Sequence, residues 1–93
     1  MSAGGLAFAL AGPNPLTRTA RFRLELPAAE PLELTVYDLS GRRFATLARG
    51  VLGAGVHMLE WHPGDAPRVN DGVYFARLTT ARTSTTLRLA VVE

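Results

Sequence analysis

Asp38, Ser40, Arg42 and Arg43 lie together in 36-VYDLSGRRFATL-47, an acid, a hydroxyl and two guanidiniums within six residues. In a pocket, those groups would suit acyl transfer, with a hydroxyl nucleophile and cations facing a developing oxyanion. Such a nucleophile needs a base beside it. The chain has two histidines, His57 and His62, and neither is close to Ser40 in sequence. Asp38-Leu39-Ser40-Gly41 fits a type I turn instead. Asp suits its first position, because the carboxylate accepts nearby backbone N–H bonds, and Gly suits the fourth, where φ is positive. A type I turn closed by a left-handed Gly makes a three-residue hairpin loop. Arg42 and Arg43 then open the return strand, and alternation sends at least one of them into solvent.

His57, His62 and Asp65 offer imidazole and carboxylate ligands for a metal. Five residues apart on a strand is odd parity, so the two rings point to opposite faces. Asp65, Asn70 and Asp71 supply oxygens suited to Ca²⁺, but the regular acidic loop spacing is missing. No cofactor or metal site is expected. Tyr37 and Trp61 are the aromatics to weigh as a sugar platform. Trp61 shares its parity with His57 and Leu59 and reads as core, leaving Tyr37 as the more exposed ring.

The elements that must position these groups are short. Turn signals recur about every ten residues, at 13–15, 27–31, 40–41, 50–55, 63–72 and 79–82. Between them lie runs rich in Val, Leu, Phe, Tyr and Thr, the pattern of an all-β sandwich or barrel. Seven strands are predicted, over about 6–11, 18–26, 32–38, 43–49, 55–61, 72–79 and 83–92. Phe22, Leu24 and Leu26 alternate with Arg21, Arg23 and Glu25, so the first set points inward. Leu32, Leu34 and Val36 do the same, as do Tyr74, Ala76 and Leu78, and Leu87, Leu89 and Val91. The opposite parity of the last two strands carries Val73, Phe75, Ala90 and Val92. That outer face is too apolar to be fully solvated; either loops or the N-terminal segment cover it, or it docks another domain or subunit.

A chain of 93 residues makes one domain and buries roughly 60–65% of its unfolded surface. Hydrophobic content of 47% with 19% charged residues is globular and excludes a disordered chain. With no Cys there is neither a disulfide framework nor a thiolate zinc site. All ten basic residues are Arg, yet the net charge is only +2, too weak to argue for nucleic acid. Ala9-Leu10-Ala11 mimics a signal-peptidase site, but no basic segment precedes it and the apolar run is short. Residues 1–5 are read as a leader or linker remnant and 6–93 as the domain. No run approaches the roughly 20 apolar residues of a membrane-spanning helix.

The ordered segments also form a family pattern. Asn14-Pro15 precedes the second strand. Residues 32–47 read Leu-x-Leu-x-Val-Tyr-Asp-Leu-x-Gly-Arg-Arg-x-Ala-x-Leu. Gly53-Ala54-Gly55 leads into His57-x-Leu59-x-Trp61, and Asp71-Gly72-Val73-Tyr74-Phe75-Ala76-Arg77-Leu78 follows. This set resembles the C-terminal sorting domain of type IX secretion substrates, and equally the immunoglobulin-like domain of the flagellar hook-capping protein. The signature positions are Asn14, Pro15, Tyr37, Asp38, Gly41, Arg42, Trp61, Gly72, Val73 and Tyr74. The resemblance implies a seven-stranded antiparallel immunoglobulin-like β-sandwich without catalysis. It implies a secreted or cell-surface bacterial protein in which this module follows a passenger domain and is read by secretion or assembly machinery. The expected function is therefore targeting or attachment. The alternatives are a structural module of an extracellular filament or hook-cap-like assembly, and a carbohydrate- or Ca²⁺-binding sandwich.

Overall fold

Alternating side chains pair seven strands into two antiparallel sheets. The computed structural model describes residues 6–12, 19–62 and 72–91. The strands are β1 (Ala7–Leu10), β2 (Ala20–Leu26), β3 (Glu30–Asp38), β4 (Arg43–Leu52), β5 (Gly55–Trp61), β6 (Gly72–Thr80) and β7 (Ser84–Val91). One sheet has the order β1-β2-β5 and the other β4-β3-β6-β7. Hairpins link β1 to β2, β3 to β4 and β6 to β7 within a sheet, while Gly53-Ala54 carries the chain from β4 across to β5.

Parity decides what is buried. In β2, Ala20, Phe22, Leu24 and Leu26 are buried and the residues between them are exposed. These side chains and Trp61 form one wall of the core. Leu32, Leu34, Val36, Tyr74, Ala76, Leu78, Leu89 and Val91 form the other. The predicted inward sets are therefore the observed ones. The two sheets bury their apolar faces against each other, as a sandwich must.

Two strands, β3 and β4, run at least two residues beyond expectation. β3 begins at Glu30, so Pro31 lies inside it, opposite Val51 of β4. Pairing with β6 begins only at Leu32, so the missing Pro31 N–H leaves no gap in that ladder. β4 continues past Arg49 to Leu52 through Gly50, whose φ of 111° breaks no pairing with Leu32. A glycine that reads as a strand stop is here a strand residue in a backbone conformation that side chains disfavour. The β3–β4 ladder also shifts register between Leu34 and Thr35 and between Val36 and Tyr37. Such bulges twist an edge strand and discourage edge-to-edge association of β4.

Candidate functional site

The 38–42 segment is a turn built around one carboxylate. Gly41 N donates to Asp38 O at 3.0 Å, and Asp38 N donates to Arg42 O at 2.9 Å. Gly41 has a φ of 88°, as the turn requires. Asp38 Oδ1 accepts from Ser40 Oγ at 2.7 Å, from Ser40 N at 2.9 Å and from Arg42 N at 2.9 Å. The Ser40 hydroxyl thus donates to the turn's own carboxylate, while the hydrogen bonds of His57 and His62 go to Gly53 and Thr19. Arg42 and Arg43 are both exposed. The Ser40 hydroxyl first, then the backbone N–H of Arg42, hold the Asp38 carboxyl below its ordinary range. Because the folded-state value is the lower one, the turn's contribution is present above the unfolded value and fades as pH falls through the folded one. The melting-temperature gap between wild type and Asp38→Ala should hold steady above about pH 5 and shrink below about pH 4. A gap that grows in acid would contradict these hydrogen bonds.

The histidines do not meet. Half-buried His57 donates from Nε2 to Gly53 O at 2.7 Å and anchors the β4–β5 crossover. His62 lies beyond β5, with Nδ1 3.2 Å from Thr19 Oγ1 and Nε2 3.2 Å from Glu60 Oε1. This hydroxyl–imidazole–carboxylate chain is invisible in sequence, since the β2–β5 register assembles it from residues more than 40 positions apart. His62 and Glu60 are solvent-exposed, and Glu60 is shared with Arg21, Nε to Oε2 at 3.0 Å. An open imidazole in bulk water gives neither substrate hold nor the desolvation that strengthens proton transfer. Among the described residues no three metal-ligating side chains cluster. Asp65, Asn70 and Asp71 lie outside the described residues, as do Asn14, Pro15 and Val92.

The outer face of the four-stranded sheet concentrates chemistry. Register places Arg43, Tyr37, Phe75 and Arg88 in one row across β4, β3, β6 and β7. The next row is Thr46, Thr35, Arg77 and Thr86, and the third is Arg49, Glu33, Thr79 and Ser84. Val73 pairs with Ala90 at the end nearer the aromatic row. Tyr37 and Phe75, like Val73 and Ala90, are half-buried, while Arg43, Arg49, Arg77 and Arg88 are exposed. Tyr37 is thus one of an adjacent pair of rings and less open than its sequence suggests. A shallow depression of about 260 Å³ is lined by Tyr37, Gly41, Phe75, Arg77 and Thr86.

Thr35 sits in the middle of this face, only 2% exposed, and its Oγ1 has no hydrogen-bond partner among the described residues. An unmade bond on a buried hydroxyl costs about 1–3 kcal/mol. Thr35→Val should therefore raise the melting temperature by several degrees. A lower melting temperature would show that the hydroxyl is satisfied in solution.

Trp61 is core. It meets Tyr74 edge-on with ring centroids 5.4 Å apart, and Tyr74 meets Phe44 at 5.3 Å. Of the signature positions in the described residues, Trp61 and Tyr74 hold the sheets together, Asp38, Gly41 and Arg42 form the turn, Gly72 opens β6, and Tyr37 and Val73 lie on the outer face. No protein-family model matches the sequence, and comparison with curated proteins finds no match.

Proposed function

We propose that this chain is a non-catalytic immunoglobulin-like module that targets or attaches a secreted bacterial protein, in the manner of the type IX sorting domains its sequence resembles. The observation that carries this reading is the contiguity of the two most specific signature segments. The 38–42 turn and the 72–78 strand are remote in sequence, yet β3 and β6 are neighbours, with Asp38 opposite Tyr74 and Tyr37 opposite Phe75. Their outward residues Tyr37, Val73 and Phe75 lie together on the outer face of the four-stranded sheet, where a receptor can reach them as a unit. The strand order supports the immunoglobulin-like part: seven strands in two sheets, with the fourth joined to the third rather than added to the first sheet as in constant-type domains. In this reading the partners are an upstream passenger and the secretion machinery at the cell envelope.

Fusing residues 6–93 to a reporter in a type IX-competent host tests the proposal. Reporter at the cell surface is the expected result, and retention in the periplasm would overturn it. A structural role in a filament or hook-cap-like assembly is the second reading, favoured by the half-buried Val73, Phe75 and Ala90 on an outer face. It expects concentration-dependent association in sedimentation, reduced by Phe75→Ser. A monomer at all concentrations would remove it.

A further inference from the structure

The two outer faces of the sandwich differ in charge balance. On the three-stranded sheet, Arg21 pairs with Glu60 and Arg23 with Glu25, so two cations meet two anions. Among the described residues of the four-stranded sheet, Arg43, Arg49 and Arg77 share the outer face with one carboxylate, Glu33, a formal surplus of two. Among the described residues no salt bridge engages Arg43, Arg49 or Arg77. The small net charge of the chain therefore conceals a cationic face.

We propose that this face binds an acidic polypeptide segment carrying an apolar anchor. The depression between Tyr37, Phe75 and Arg77 accepts the anchor, and the arginines take flanking carboxylates. Arg and aromatic side chains with an apolar floor are the composition of a protein-binding hot spot. Arg43 and Arg77 stand two strands and one row apart, about 10–12 Å, the reach of three to four extended residues. The fitting pattern is thus two acids three or four residues apart with a large apolar residue between them. A second copy of this chain does not fit face to face, because arginines would meet arginines. A single-stranded nucleic acid fits less well, since base stacking needs open rings and these are half-buried. A sugar platform fails on the same ground. This inference is independent of the sorting proposal; it concerns the face itself and stands if reporter export fails.

Fluorescence anisotropy with the purified domain and a labelled peptide holding one phenylalanine between two glutamates tests it. The domain should bind, and added salt should weaken binding. Arg43→Glu and Arg77→Glu should each weaken it about tenfold, while Arg23→Glu on the opposite face should not. Both substitutions are at exposed positions, and unchanged melting curves verify the fold; Arg43→Gln and Arg77→Gln give the same test with charge only removed. Replacing the peptide phenylalanine with serine should also weaken binding. Any of three results would overturn the proposal: no binding by wild type, equal or tighter binding of an oligonucleotide of the same charge, or indifference to Arg43→Glu. The last would mean that the peptide adds to the β7 edge, on the far side of the sheet from Arg43.

Discussion

Trp61→Ala is expected to destabilise the domain by about 3–5 kcal/mol. A domain of this size has about 5–15 kcal/mol in total, so the loss is a large part of it. The ring closes one end of the sandwich. Trp61 comes from β5 of one sheet, and its partner Tyr74 comes from β6 of the other. Phe44 on β4 extends the contact, so three aromatic rings from three strands tie the sheets together. Alanine would leave a cavity that the rigid strands cannot fill. The melting temperature should fall by roughly 15–30 °C. Arg43→Ala, one residue from Phe44 but exposed, should change stability by no more than about 0.5 kcal/mol. Chemical denaturation of both variants checks the pair. Equal, small effects would mean that the inward face has been misassigned. A double-mutant cycle with Tyr74→Leu should show coupling of about 0.5–1.5 kcal/mol beyond area burial.

Phe22→Ala should cost a similar amount, about 3–5 kcal/mol, for a different reason. Phe22 has no exposed surface and stacks on Phe8 with centroids 5.7 Å apart. Phe8 belongs to β1, a four-residue edge strand whose sheet neighbour is β2. Losing the ring removes core volume and also the stacking partner of Phe8 on β1. Hydrogen exchange should then show the amides of residues 7–10 losing protection before those of β3 and β6. Uniform loss of protection across both sheets would show that β1 is held by its backbone ladder alone.

Much of the architecture was legible in the sequence because the strands obey period two. Phe22, Leu24 and Leu26 against Arg21, Arg23 and Glu25 leave only one orientation for β2. Asp38 and Gly41 specify their turn locally, so type and position alone sufficed there. The less legible features depend on which strands pair. The extension of β4 through Gly50 needs Leu32 opposite it, and no local signal marks that partner. The chain of Thr19, His62 and Glu60 exists because β2 pairs with β5. The arginine-flanked aromatic row likewise needs the order β4-β3-β6-β7, since its four residues come from four strands. Parity alone marks Phe75 and Val73 as outward apolar residues, whereas strand pairing is needed to place Arg43 and Arg88 in the same row as Phe75. The net charge of the whole chain averages the balanced face with the cationic one.

The division of roles that results is simple. Residues resembling an active site are turn and surface groups, whereas the surface they border carries the recognisable chemistry. The measurement that tests this account most directly is the location of a reporter fused to residues 6–93, compared in a type IX-competent strain and in the same strain without the secretion machine. A targeting module predicts surface reporter in the first and periplasmic reporter in the second. The same distribution in both strains would contradict it.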